Sequence, residues 1–331
     1  MRWIDIEDRS AVAAMRRIAR RCASSMGMTE RRQEELAIVV TEAATNILRH
    51  AGRGRALVEV IQKPGVHKLV VLFADNGPGI GDLDRMMNDG QSTLASAGLG
   101  LGALRRLSDS FDVFTSADAG TTIVCAFDQD KGATKPPIEV AGLCVCHPAE
   151  SVCGDAWTLR QGPQETGIVL CDGLGHGPLA ARAAAEVLEG AEASPMDPGA
   201  LIEEVSRRLV GKRGAVASAI RIDHEAMTMT YSGLGNISTL HVGPSGFRRL
   251  AVRDGRIGGP ATRGYEETIA LAPGDTVILH SDGLKTLREA NIPPGLMYRS
   301  PLLIAGYFLD RMFRGRDDAS IVLARVKVER E

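Results

Sequence analysis

"CDGLGHG", Cys171 to Gly177, ends the apolar run "TGIVL" with one acidic residue, three glycines and a histidine. An aspartate at a strand end with glycine directly behind it leaves both a carboxylate and an unshielded backbone carbonyl for a hard cation. The same arrangement recurs outward from it, in "VCGDAW" (Asp155), "HSDGL" (Asp282) and "GRDDAS" (Asp317, Asp318), each bordering an apolar strand. Carboxylates gathered at one edge of a sandwich repel by roughly 4 kcal/mol per close pair at an effective dielectric near 20, so a shared cation relieves them. With oxygen ligands and no Cys/His signature, the expected ion is Mg²⁺ or Mn²⁺.

Around these motifs short strands ("TGIVLCD", "AVASAIRID", "MTMTYSGLG", "STLHVG", "DTVILHSD", "SIVLARVKV") alternate with two helices, "GPLAARAAAEVLEGA" and "PGALIEEVSRRLVG". That pattern predicts a layered β-sandwich flanked by helices. At 331 residues and 44% apolar content the chain exceeds one typical domain. The polar stretch "DQDKGATKPPIE", residues 128–139, with its Pro-Pro pair, reads as a linker between domains at 1–127 and 140–331.

The first domain carries a helix at Arg9–Ser25, a second ("RRQEELAIVVTEAATNILRHA"), strands "RALVEVIQK" and "HKLVVLFAD", then a glycine loop. A helix ("GLGALRRLSDS") and two strands ("FDVFTSA", "GTTIVCAF") complete an expected α/β sandwich, with helices on one face of a mixed sheet. Glu42 and Asn46, four residues apart, project from one helix face. Asp75 ends an apolar strand over the glycine turn "NGPGI", where its carboxylate can accept a hydrogen bond from a base amine. Gly98, Gly100 and Gly102 precede or open a helix, where bare N–H groups suit phosphates.

The order ExxxN, DNGPGI, GLGLG and then GTT at Gly120 to Thr122 resembles the ATP-binding fold of the GHKL family (Bergerat fold). "TEAATNILRHAG" with "DNGPGI" looks most like its RsbT/RsbW-type switch kinases. The resemblance implies ATP as cofactor, with Asn46 holding a Mg²⁺ on the phosphates and Asp75 reading adenine. It also implies that Gly77, Gly79 and the Gly98 to Gly102 lid make room for the nucleotide, and that Thr121 or Thr122 supports Asp75. Glu42 is then the general base toward a protein serine or threonine.

The order GD, DGxGHG, SDG, DD resembles the PPM metal-dependent protein phosphatases, and "DGLGHGPLAARAA" their SpoIIE/RsbX branch. It implies an α-β-β-α sandwich and two Mn²⁺ or Mg²⁺ ions, roughly 3.5–4 Å apart, activating a water against a phosphoserine or phosphothreonine. Asp172 would bridge the ions, Gly173 lend its carbonyl, Asp282 and Asp317 hold the second ion, and Asp155 act as a ligand or support one. A match to "RDN" favours Asp317 over Asp318. Cys153 stands where many relatives have glycine, and no acid stands at Thr158.

Together the two resemblances imply a bifunctional serine/threonine kinase and phosphatase acting on STAS-domain antagonist or scaffold proteins, in a pathway ending in a sigma factor or switch protein. The alternatives are an ATP-binding module that only sequesters a partner, as an anti-sigma factor does, and a nucleotide sensor joined to a phosphatase. The net charge of -2 argues against a nucleic-acid partner. No signal-peptide core or membrane-length apolar run is evident, so a cytoplasmic protein without a membrane partner is expected. Cys144, Cys146, His147 and Cys153 come closest to a soft metal cluster but lack paired CxxC spacing, so buried thiols are expected there.

Overall fold

The computed structural model describes residues 2–87, 100–129, 136–244, 246–260 and 263–328. The chain forms two compact units, Arg2–Ala133 with Ile292–Asp310, and Thr134–Asn291 with Arg311–Glu331. The segment 292–310, which belongs by sequence position to the second domain, therefore folds with the first. The expected linker, residues 128–139, falls partly outside the described residues, at 130–135.

In the first unit β1 (Ile4–Ile6) leads into α1 (Arg9–Ser25) and α2 (Glu30–Asn46). Asp8 caps α1 by accepting from the Ala11 N–H at 2.9 Å, and Thr29 caps α2. Beyond α2 the chain widens into one π turn, Ile47–Ala51. Strands β2 (Gly54–Lys63) and β3 (Val66–Asp75), short helices α3 (Leu83–Met87) and α4 (Gly100–Leu107), and strands β4 (Ser110–Ser116) and β5 (Gly120–Asp128) follow. The sheet order is β1-β2-β3-β5-β4, and every pairing is antiparallel. The expected mixed sheet is thus corrected: each pair of neighbouring strands runs in opposite directions.

Alternation along β3 divides the sheet's two faces. Leu69, Val71 and Phe73 join the core beneath α1 and α2 with Met15, Leu36 and Val40. The opposite face receives a helix from the distant segment, Pro301–Arg311, in which every residue from Pro301 to Asp310 is buried. A methyl group on Gly306 of this helix would run into the Leu72 side chain. Tyr307 meets Phe114 edge to face at 5.5 Å, Arg55 pairs with Asp310, and the Ser300 N–H donates to Asp112 at 2.7 Å. Helices therefore lie on both faces of this sheet rather than on one.

The second unit opens with β6 (Ile138–Val145), β7 (Asp155–Gln161) and β8 (Glu165–Gly173), then α5 (Pro178–Glu192) and α6 (Pro198–Arg208). Strands β9 (Ala215–Asp223), β10 (Thr228–Leu234), β11 (Ser238–Gly243), β12 (Gly246–Arg249), β13 (Tyr265–Ala270) and β14 (Thr276–His280) follow. The helix at Pro301–Arg311 is α7, and β15 (Ala319–Val326) closes the chain. One sheet is ordered β13-β10-β9-β8-β7 and the other β12-β11-β14-β15-β6, both antiparallel throughout. Helices α5 and α6 bury Ala184, Val187, Leu201 and Val205 against Val169, Ala217 and Ala219 of the first sheet. The two sheets meet where Trp157 of β7 packs on Gly142 of β6, a position where a methyl would sit 2.6 Å from the indole. No helix among the described residues is long and apolar enough to cross a membrane.

Replacing Gly306 by valine is expected to destabilise the first unit by about 1–3 kcal/mol, since the added carbons overpack a filled site. Gly81→Ala, where the new methyl meets open space, should stay within about 0.5 kcal/mol. Denaturant midpoints of the two variants check this, and equal midpoints would contradict the packing described.

Candidate functional site

The antiparallel register of β7 and β8 sets Asp155 directly opposite Asp172. Asp155 begins its strand and Asp172 lies at the end of the other, so two carboxylates leave one sheet edge side by side. Asp155 is only 4% exposed. Its Oδ2 accepts from the Ser320 hydroxyl at 2.7 Å, while its Oδ1 is buried with no hydrogen-bond partner. Asp282 follows β14, and Asp317 and Asp318 precede β15, which bring them to the same edge from the facing sheet.

Electrostatics register the crowding. Burial, with Asp318 and Asp317 adding repulsion against the help of Ser281 and Ser320, pushes Asp155 up to about 7. Burial first, then Asp155, Asp282 and Asp317, push Asp172 up to about 9. Asp317 is also raised, by burial and then by Asp282 and Asp318. The four aspartates Asp155, Asp172, Asp282 and Asp317 are thus brought together. An all-oxygen donor set, with an orphaned buried oxygen on Asp155 and carboxylates that suppress one another's ionisation, fits a hard divalent cation.

The two acids before β15 divide their roles. Asp317 is half-exposed and its Oδ1 accepts from the Asp318 N–H at 2.9 Å. Asp318 is buried, and its Oδ1 accepts from the His147 N–H at 2.8 Å. Gly173 lies under α5, where a methyl would strike the Ala180 carbonyl, and its N–H donates to Gly154 at 3.1 Å, tying the two aspartate motifs together. Gly177 holds φ +74°, a backbone that favours glycine, just before Pro178 opens α5. His176 is half-exposed, hydrogen-bonded to Glu150 at 2.9 Å and stacked on His147 at 4.4 Å, so its ring is fixed within the loop.

Three partners escaped the sequence reading. Ser320 and Ser281 secure Asp155 and the strand ends around it, with the Ser320 N–H donating to Ser281 at 3.0 Å. Asn236 donates to Asp282 Oδ2 at 2.8 Å and orients that otherwise exposed carboxylate. Ser281 and Ser320 could have been suspected as hydroxyls beside the aspartate motifs; Asn236 carries no such signal.

In the first unit Glu42 and Asn46 occupy the last turn and a half of α2, both half-buried. Asn46 is the final α-helical residue before the π turn, a widening that often marks functional positions. That turn runs over the Asp75 turn: a methyl on Gly54 would lie 2.8 Å from Ile47 and 3.1 Å from Asp75 Cβ, and one on Gly77 would lie 2.8 Å from Ala51. The end of the asparagine helix and the aspartate turn are therefore adjacent. Asp75 Oδ1 accepts from the Gly77 N–H at 2.8 Å and the Thr121 N–H at 3.3 Å.

Register explains the difference between the two threonines. Thr121 pairs with Asp75 and its hydroxyl lies 3.1 Å from that of Thr115, which in turn accepts from the Ile80 N–H. Thr122 pairs with Ala74, and its hydroxyl is buried without a hydrogen-bond partner. Gly79 has φ +74° and packs against the Ser116 carbonyl, while Gly120, at φ +63°, lies against the Asp75 carbonyl too closely for any side chain. Gly100 opens α4 and Gly102 lies buried in its first turn; Gly98 lies outside the described residues.

Comparison with known proteins also divides the chain in two. Residues 7–127 match the family described as histidine kinase-like ATPase domain, and residues 162–300 the family Stage II sporulation protein E (SpoIIE). The chain is similar to the serine/threonine-protein kinase RsbT of Bacillus subtilis (strain 168), 34% identical over 34% of this chain and 84% of that protein. It is likewise similar to the phosphoserine phosphatase RsbX of the same strain, 31% identical over 41% of this chain and 69% of that protein. A solved structure from the bacterial stressosome, described as a modular system adapted to control secondary messenger signaling, matches with TM-score 0.52 and 25% identity, covering 57% of this chain and 99% of its own. RsbX in complex with magnesium has a similar fold, with TM-score 0.50 and 24% identity over 57% of this chain and 96% of its own.

Asp172 and Asp155 carry raised folded-state values, so between the ordinary carboxylate range and about 9 the folded chain binds more protons than the unfolded one. Stability of the metal-free protein therefore falls as pH rises through that window. Thermal unfolding between about pH 5 and about pH 9 should show the second unit's midpoint decreasing, with millimolar Mg²⁺ flattening the slope. A midpoint that rises with pH in metal-free buffer would contradict the carboxylate crowding.

Proposed function

The chain belongs to the histidine kinase-like ATPase family through its N-terminal domain and to the SpoIIE family of metal-dependent phosphatases through its C-terminal domain, and we propose that it both adds and removes one protein phosphate mark. The observation that carries the reading is the gathering of Asp155, Asp172, Asp282 and Asp317 from four strand ends at one sandwich edge. Divalent cations bound there, Mg²⁺ or Mn²⁺, supply Lewis acidity and a water nucleophile at neutral pH.

The protein's own part in dephosphorylation is to hold that charge in place. Asp172 and Asp155 share the central position, the Gly173 carbonyl adds a neutral oxygen, and Asp282 and Asp317 complete the set from the facing sheet. Ser320 fixes the Asp155 rotamer and Asn236 that of Asp282. His176, held by Glu150, orders the loop beside them. The substrate class is a phosphoserine or phosphothreonine on a protein, as the name of the similar phosphatase RsbX suggests for its first member.

In the N-terminal domain Asp75, whose carboxylate is already aligned by the Gly77 and Thr121 N–H groups, would accept from the adenine amine of ATP. Asn46 would hold the Mg²⁺ that accompanies the phosphates, the glycines at Gly77, Gly79, Gly100 and Gly102 would make room for the nucleotide, and Thr122 backs the same strand; Gly98, assigned with them from the sequence, lies outside the described residues. Glu42, one turn before Asn46, accepts the proton of the receiving hydroxyl. The receiving protein is a STAS-domain antagonist or scaffold, within a cytoplasmic circuit controlling a sigma factor or switch protein. Retention of Glu42 favours transfer over simple sequestration of a partner, which needs no base.

The test incubates the full chain with γ-labelled ATP, Mg²⁺ and a STAS-domain protein, then adds Mn²⁺. Label should appear on the partner and decay. It should persist with Asp172→Asn, and Glu42→Ala should slow its appearance by about 10²–10⁴-fold. If the wild type never labels the partner yet dephosphorylates a pre-phosphorylated one, the N-terminal domain is a binding or sensing module. Asp75→Asn should weaken ATP binding by about tenfold to a hundredfold, read by equilibrium titration, through loss of a charge-assisted hydrogen bond; unchanged affinity would remove Asp75 from the site.

A further inference from the structure

We propose that Cys146, Cys153 and the Oδ2 atom of Asp318 form a binding site for a thiophilic divalent cation of the zinc class, distinct from the Asp155–Asp172 centre. The three residues come from three segments of the second unit: Cys146 just past β6, Cys153 in the loop before β7, and Asp318 just before β15. Their two sulfurs and a carboxylate oxygen all lie within 4.8 Å of one another. Tetrahedral zinc with bonds of about 2.3 Å to sulfur places its sulfur ligands about 3.8 Å apart, so small side-chain rotations close the site.

An independent observation points to a cation. Asp318 is 2% exposed, and its two oxygens fare differently. Oδ1 accepts from the His147 N–H at 2.8 Å, whereas Oδ2 is buried with no hydrogen-bond partner. An unsatisfied buried carboxylate oxygen is costly, and a cation shared with two sulfurs removes that cost. The neighbouring glycine leaves the space open, for a methyl on Gly154 would lie 2.7 Å from that same oxygen.

The donor set also selects the metal. Two soft thiolates beside one carboxylate prefer zinc to magnesium, while the all-oxygen Asp155–Asp172 set has the opposite preference. On binding, each thiol releases its proton to solvent, both sulfurs and Oδ2 bond to the ion, and a water completes the tetrahedron. Cys171 is not among the grouped residues, its sulfur being directed to the Ala156 and Ala184 carbonyls, whereas the Cys153 sulfur, directed to the Val145 carbonyl at 3.6 Å, exchanges that weak contact for the ion. The expectation of plain buried thiols rested on the lack of CxxC spacing, and the third ligand here is far away in sequence.

The experiment uses the full chain, kept reduced, equilibrated with Zn²⁺ in millimolar Mg²⁺, then desalted and assayed for zinc by mass spectrometry. Wild type and Asp172→Asn should each retain about one zinc per chain, and Cys146→Ser and Cys153→Gly should retain none. In a parallel sample of wild type, Co²⁺ should produce a near-ultraviolet thiolate-to-cobalt charge-transfer band, a readout that does not depend on any variant folding. Zinc absent from wild type, zinc kept by both cysteine variants, or cobalt bound without that band would each overturn the proposal.

Discussion

Two carboxylates forced together at the ends of paired strands constrain the whole C-terminal half. The β7–β8 register leaves Asp155 and Asp172 no route apart, and burial denies them the water that would screen their repulsion. The surrounding structure answers this constraint. Ser320 and Asn236 orient individual oxygens, and Gly173 lets α5 close over the strand end. The sheet that supplies Asp282 and Asp317 is packed so that its strand ends reach the same edge. Under the proposed function a divalent cation would relieve the repulsion that remains and supply the hydrolytic chemistry.

The N-terminal unit is organised around a different aspartate. Asp75 is held by two backbone N–H groups, and the close approach of Gly120 to its carbonyl keeps the turn compact. Such a carboxylate suits recognition of a hydrogen-bond donor rather than capture of a metal. The change from α to π helix after Asn46 lets the chain cross this turn directly. The two glycine-guarded aspartates, "DNGPGI" and "CDGLGHG", thus share a sequence texture while their surroundings differ: backbone N–H groups about Asp75, other carboxylates about Asp172.

Much of this was legible in the sequence because amphipathic elements display their period. Helix α1 and most of α2 follow the apolar spacing, and strands β2, β3 and β9 coincide with their apolar runs. Helix α7 was missed for a physical reason: buried on all sides, "PLLIAGYFLD" has no polar face and hence no period. Its place in the first unit was equally hidden, since the contacts that fix it, such as Arg55 with Asp310, join residues distant in sequence. Strand direction carries no local signal, so the mixed sheet expected for the first unit proved antiparallel. The aspartate motifs were visible as glycine-flanked strand ends, but the partner Asn236 and the grouping of Cys146, Cys153 and Asp318 arise only from tertiary packing.

Near neutral pH, Asp155 and Asp172 hold protons that a divalent cation entering the site must displace. Calorimetric titration of Mg²⁺ into the metal-free protein at pH 7, repeated in buffers of different ionisation enthalpy, measures the protons released per binding event. With Asp172 at about 9 and Asp155 at about 7, release of at least about one proton is expected, and a smaller release from any binding that remains in Asp172→Asn. Tight binding with no proton release would contradict it, because the carboxylates would then have been ionised all along.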